Sequence, residues 1–451
     1  MSVNIIAMRL PIPEKTRLSS LLPILSAVLL LLAACQAHNK PDNASFTLAV
    51  IPDTQNYIDF RHQKEEGFEL DSNELFIQQM QYIADHSFAK GGDIAFIAAV
   101  GDVWQHQTKS IDQEHLQRGI NIEPDPILAR QAKRTEQVLA IELPTAIEGY
   151  RIISQAGLPF GVAPGNHDYD ATWSVAGYPP NRDKKFSELN STVEDFGILH
   201  IGGLDNFRSV FGDKSDCFRG KSWYIASYNG GANSAQKFFA GGYAFLHLAL
   251  EMQPGDAVLA WVESVLSAHP GLPTIITTHD YLSSSGVRTP NPLIDLYRVD
   301  PEHHNSAQQL WEKLISQHDQ IFLVLCGHQH GQSLRVDANT NGKPVYQVLA
   351  DYQDRGQAGI EAGRSQVVGI GDGWLRLMHF DLGSNPARIT VKTYSTYYAR
   401  YSSEVDDYAS WYKALEQPDM NDDEFHASDD FVINLDGFQQ RFSSAFSAGR
   451  E

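Results

Sequence analysis

The sequence predicts an α/β protein, and two patterns predict it. Five apolar, β-branched runs each stop abruptly on a polar cluster, and amphipathic segments of helical period lie between them. Strands alternating with helices imply a sheet with helices packed on its faces. With 451 residues, 42 % of them hydrophobic and 20 % charged, the chain has material for one large domain or two to three ordinary ones.

The first residues stand apart from that pattern. Arg9, Lys15 and Arg17 precede LLPILSAVLLLL (21–32), which is followed by AAC (33–35). A basic stretch, an apolar run and small residues describe an export signal, and the run is too short to span a bilayer comfortably. LAAC (32–35) resembles the bacterial lipobox. Residues 1–34 are therefore expected to be a lipoprotein signal peptide, with Cys35 carrying lipid and 35–45 forming a tether. That places the protein outside the cytoplasm and anchored to a membrane through Cys35. Gln36, a non-aspartate after the cysteine, points to the outer membrane if the host sorts as enteric bacteria do. Only Cys217 and Cys326 remain, so a disulfide framework is not expected.

The strand-like runs then follow in order: FTLAVIPDTQ (46–55), DIAFIAAVGD (93–102), LPFGVAPGNHD (158–168), PTIITTHD (273–280) and IFLVLCGHQH (321–330). Continuous apolar runs of this kind suit strands buried on both faces. Between them, SNELFIQQMQYIADH places Phe76, Met80 and Ile83 on one helical face, with Ser72 as N-cap. PTAIEGYRIISQAG opens on Pro144 and stops at Gly157. DAVLAWVESVLSAHPG carries Leu259, Val262 and Leu266, and NSAQQLWEKLISQHD carries Leu310 and Leu314 behind an Asn305 cap. DANTNGKPVYQVLADY (337–352) reads as a hairpin through Asn341-Gly342.

In open α/β sheets ligands gather at the carboxyl ends of strands. All five polar clusters occupy that position, and together they offer Asp53, Gln55, Asp102, Asn166, His279, His328 and His330. Carboxylates, amide oxygens and imidazoles suit Mn, Fe, Zn or similar divalent ions, and the set is rich enough for two. Two ions about 3.5–4 Å apart can activate a shared hydroxide and stabilise an in-line phosphoryl displacement. His167, beside Asn166, is the expected general acid for the leaving alkoxide. The formal net charge of −20 disfavours nucleic-acid polymers as partners. A small phosphate ester remains compatible with it if bound metals supply local positive charge.

D-x-Q, GD, GNHD, a strand-end histidine and GHxH, in this order over roughly residues 46–395, resemble the calcineurin-like metallophosphoesterases. The resemblance implies a four-layer α/β/β/α sandwich of two mixed sheets with inserted loops. It also implies hydrolysis of phosphomonoesters, phosphodiesters or pyrophosphates. By position, one ion would take Asp53, Gln55, Asp102 and His330, and the other Asp102, Asn166, His279 and His328. Two positions depart from the family pattern. Gln55 stands where histidine is usual, and Gln105 stands where Asp or Asn helps to orient the acid histidine. Those departures motivate a second reading, a binding or scaffolding lipoprotein of weak or no turnover on the same fold.

The catalytic domain is expected over 46–400, with insertions at about 103–143 and 169–242, and with 401–451 as an acidic and aromatic extension packing on it. VGIGDGW (368–374) reads as a turn between strands, DMNDDEFHASDD (419–430) as an acidic surface segment, and His303–His304 as solvated loop residues. The tyrosines of 394–412 read as packing at a sheet edge.

Overall fold

The structure, a computed structural model, describes residues 44–108, 113–118, 122–123, 135–179, 181, 183 and 192–446. The signal peptide, Cys35 and the tether up to residue 43 lie outside the described residues. So does much of the stretch 103–143.

The strands are β1 (Ser45–Ile51), β2 (Ile94–Ala99), β3 (Ile122–Glu123), β4 (Phe160–Val162), β5 (Ala171–Val175), β6 (Leu199–Gly202), β7 (Tyr224–Tyr228), β8 (Asn233–Ala240) and β9 (Tyr243–Ala249). They continue with β10 (Thr274–Asp280), β11 (Ile321–Gly327), β12 (Gly331–Ala338), β13 (Pro344–Asp351), β14 (Trp374–Asp381), β15 (Ala387–Ser395), β16 (Arg400–Tyr401) and β17 (Phe431–Leu435). The principal helices are α1 (Ser72–Asp85), α2 (Leu143–Gln155), α3 (Asp256–Ala268), α4 (Ala307–Lys313), α5 (Tyr408–Glu416) and α6 (Asp422–Asp429).

Two mixed sheets organise the molecule. The first runs β16-β15-β14-β1-β2-β4, with β17 also pairing β15, and its β1, β2 and β4 are parallel. The second runs β12-β13-β11-β10-β9-β8-β7, with β9, β10, β11 and β13 parallel. Alternation along β1 explains the layering: Phe46, Leu48 and Val50 enter the core between the sheets, whereas Ala49 and Ile51 face α1 and α2. On the other side, Val324 and Cys326 of β11 pack with Val262 and Leu266 of α3 and Leu310 of α4. Each central strand is thus apolar on both faces, which is why its sequence is a continuous apolar run. The result is a four-layer α/β/β/α sandwich whose parallel strands end along one edge.

Several local expectations shift. The cap of α1 is Asp71, not Ser72, and that of α4 is Ser306, not Asn305; Ser306 accepts from Gln309 N–H in a capping box. Of the stretch 169–242, residues 171–175 and 199–202 form a small separate sheet in the order β3-β5-β6, but β8 and the edge strand β7 belong to the second main sheet. Asn233, Ser234 and Gln236 interrupt the apolar alternation of β8, and all three are buried, which hid the strand from pattern reading. The C-terminal stretch supplies β16 and β17 to the first sheet. The segment 419–430 is not simply acidic surface: Asp429 at the end of α6 is fully buried. The tyrosines do pack, with Tyr408 and Tyr412 in a core with Tyr352 and Trp374. No helix among the described residues is long and apolar enough to cross a membrane.

Candidate metal centre

The carboxyl ends of β1, β2 and β4 meet those of β10, β11 and β13 across the two sheets. Asp102 follows β2 with a φ of 48°, and His328 follows β11 with a φ of 72°. Left-handed backbone at non-glycine residues is strained and is tolerated where a side chain must be aimed. Gly101 makes the turn possible: at its φ of 116°, an added Cβ would lie 2.6 Å from Gly165 N and 2.8 Å from His279 Nδ1.

Asp102 is the hub. Its Oδ1 accepts from the His167 N–H at 2.8 Å, and its Oδ2 lies 3.2 Å from His279 Nε2. His279 Nδ1 lies 3.0 Å from the Val100 carbonyl, which orients the ring and leaves Nε2 facing Asn166 Oδ1 at 3.0 Å and Asp53 Oδ2 at 4.0 Å. Asp102, His279 and His328 offer one ligand atom each, all within 4.8 Å of one another. Asp53 Oδ2 accepts from the His328 N–H at 3.1 Å. His330 is placed differently. Its Nδ1 lies 2.5 Å from Asp354 Oδ2, and its Nε2 lies 2.5 Å from Gln353 Nε2.

Gln353 and Asp351, at the end of β13, were not singled out from the sequence. Asp351 accepts from the His330 and Gln353 N–H groups. Gln353 also joins the two halves of the site, because Gln55 donates through Nε2 to Gln353 Oε1, and to Asp102 Oδ2 at 3.4 Å. The signal for them is a sixth strand end: Asp351 closes the arm of the hairpin expected over 337–352, and Gln353 lies just beyond it. That hairpin is present, β12 and β13 turning through Gly342 at a φ of 73°.

The electrostatics are those of a cavity built for positive charge. Burial pushes Asp53 well above the usual carboxylate range, and the Asp351 and Asp102 charges push it further. Burial pulls His279 down, but Asp102 and Asp53 prevail and raise it to about 10. Burial and the His279 charge hold His328 well below the usual imidazole range. A proton on His279 thus supplies what a cation would supply, and binding a metal would release it. Three buried atoms aimed into this region have no hydrogen-bond partner: Asp53 Oδ1, Gln55 Oε1 and His328 Nε2. Unsatisfied buried polar atoms are costly, and these are one carboxylate oxygen, one amide oxygen and one imidazole nitrogen. Their chemistry fits divalent ions.

His167 is half-buried, and its Nδ1 lies 2.6 Å from the Gln105 backbone carbonyl. The side chain of Gln105 does not orient it, and Gln105 Oε1 has no hydrogen-bond partner. The ring is thus oriented by a main-chain carbonyl, a contact available whatever residue stands at 105.

No protein-family model matches the chain. Among curated proteins, the uncharacterized protein YvnB of Bacillus subtilis (strain 168) is 28 % identical over 229 residues, a match that takes in 48 % of this chain and 16 % of that protein. The chain thus spans well under two thirds of the length of that relative. Among solved structures, a dimetal phosphatase from Danio rerio is similar with a TM-score of 0.37 and 12 % identity, over 78 % of this chain and 96 % of that one. GAP50, the anchor in the inner membrane complex of Plasmodium, is similar with a TM-score of 0.34 and 11 % identity, over 79 % and 86 %. Likenesses of that size are too low to carry a conclusion about fold or chemistry.

Proposed function

We propose that this chain is a metal-dependent phosphoesterase of the calcineurin-like class, carried outside the cytoplasm on a lipid at Cys35. The observation that carries the reading is the convergence, from strands of both sheets, of Asp53, Gln55, Asp102, Asn166, His279 and His328, three of which offer buried lone-pair atoms with no hydrogen-bond partner. Those residues, with His330 at the rim, would hold two divalent ions. Bound there, such ions supply an acidified water and positive charge for a phosphoryl group.

The chain's own residues do the rest. Asp102 holds the His167 main chain and His279 at once, so one carboxylate sets the spacing between the acid and the metal-binding imidazoles. His167 is anchored through Nδ1 on a carbonyl, which leaves Nε2 to carry the proton that a leaving alkoxide needs. Phosphomonoesters and phosphodiesters are the substrate class; charge disfavours nucleic-acid polymers.

His167→Gln tests the reading against that of a non-catalytic scaffold. It should lower kcat on nitrophenyl phosphate or bis-nitrophenyl phosphate by about 10²–10⁴-fold while leaving the metal content unchanged. A variant as active as the wild type would remove His167 from the mechanism.

A further inference from the structure

Away from the strand-end site, separate stretches of chain bring imidazoles and a carboxylate together. His115, on the short helix Gln113–Gln117, His200, on β6, and Asp300 present ligand atoms that all lie within 4.8 Å of one another. All three residues are buried. His304 stands at the edge, with its Nε2 3.9 Å from Asp300 Oδ2 and its ring centroid 5.9 Å from that of His200. The histidine pair 303–304, read as solvated, is thus divided: His304 is mostly buried and turned to this cluster, and His303 is half-exposed.

Hydrogen bonds set the tautomers. His200 Nδ1 lies 2.8 Å from the Ile201 carbonyl, and His304 Nδ1 lies 3.1 Å from the Gln253 carbonyl. Both rings therefore donate through Nδ1 and keep the lone pair on Nε2, the arrangement in which a backbone carbonyl orients a metal-ligating histidine. His200 Nε2 is buried and has no hydrogen-bond partner. Trp173 stacks on His200 at 4.9 Å and meets His115 edge-on at 5.1 Å, which walls the cluster on one side with an apolar ring. Arg118 donates to Asp300 Oδ2, and His303 Nδ1 lies 3.0 Å from Asp300 Oδ1. Each carboxylate oxygen has two lone-pair positions, so these contacts orient Asp300 without using it up.

We propose that His115, His200, His304 and Asp300 form a second, separate metal site that takes a zinc-like divalent ion. Three imidazoles and one carboxylate complete a four-coordinate shell, which marks a structural rather than a catalytic ion. The ion would tie together the segment 113–118, the small sheet containing β6 and the loop 300–304, which share no local sequence. Its binding free energy would appear as stability of that region.

The test is metal content per chain and visible absorption of the mature protein loaded with Co²⁺, for the wild type, His200→Ala, His200→Cys and Asp102→Asn. The expected result is that His200→Ala loses one ion per chain together with the four-coordinate Co²⁺ band. Asp102→Asn, which cripples the strand-end site, should keep that band. His200→Cys should keep the ion and gain a thiolate-to-cobalt charge-transfer band, which a merely structural role for His200 would not produce. Equal ion content in the wild type and His200→Ala, or no such band in Asp102→Asn, overturns the proposal. Because Asp102 and His200 serve different sites, failure here leaves the phosphoesterase reading standing, and the reverse also holds.

Discussion

At Gln55 the structure separates the two ends of one amide. The Nε2 end is committed to Gln353 and Asp102, whereas Oε1, like Asp53 Oδ1, is buried without a hydrogen-bond partner. An amide oxygen is a harder and weaker donor than imidazole, so the ion on the Asp53 side should be looser and biased towards Mn or Mg over Zn. Gln55→His is expected to tighten that ion and shift its preference towards Zn, measured by competitive metal titration. Unchanged affinity and preference would show that Gln55 serves only its bridge to Gln353. Asp53, Asp102, Asn166, His279 and His328 each stand at or just beyond the end of a largely apolar, strand-like run, and each was legible there. The role of Gln105 was not, because a main-chain carbonyl orients His167 and main-chain roles leave no side-chain signature.

At the scale of elements, the C-terminal helices show why local composition misleads. The segment around α6 is acidic and polar, yet Asp429 accepts from Arg376 at 2.7 Å and from Tyr352 at 3.0 Å, and Arg355 reaches both Asp429 and Glu416. Arg355 and Arg376 are fully buried, and their carboxylate partners lie more than fifty residues away, so no short window of sequence contains the network. It fastens α5 and α6 to β14 and to the loop that carries Gln353. Removing Asp429 strands the buried Arg376 guanidinium and leaves Arg355 with Glu416 as its one carboxylate partner, so Asp429→Ala should cost about 3–5 kcal/mol in urea unfolding. Burial pushes the Asp429 carboxyl up, but Arg355 and Arg376 outweigh it and hold the group below its ordinary value. A carboxyl lowered in the folded state contributes stability that is present above its unfolded value of about 4 and is lost as pH falls through the folded one. Wild-type stability should therefore drop more steeply below pH about 4 than that of Asp429→Ala; parallel acid profiles would contradict the assignment.

Over the whole molecule, the layered architecture was the most legible feature, because strands buried on both faces and helices of one apolar face dictate it together. Strands at one end of the second sheet were the least legible: β8 carries buried polar residues in its alternation, and the edge strand β7 is only partly buried. The proposed membrane anchor belongs to this scale as well. Cys35→Ala is expected to move the protein from the membrane fraction to the soluble extracytoplasmic fraction, followed by fractionation and blotting; continued membrane retention would exclude a lipid on Cys35 as the anchor. The central claim is that both sheets end on one working metal centre. Chelating the purified mature protein and reloading it stepwise with Mn²⁺, while following hydrolysis of nitrophenyl phosphate and bis-nitrophenyl phosphate, tests it most directly. The expected result is activity that vanishes with chelator and returns as the strand-end ligands fill, with Asp102→Asn restoring none. Full activity in the presence of chelator, or no hydrolysis of any ester at metal saturation, would contradict it.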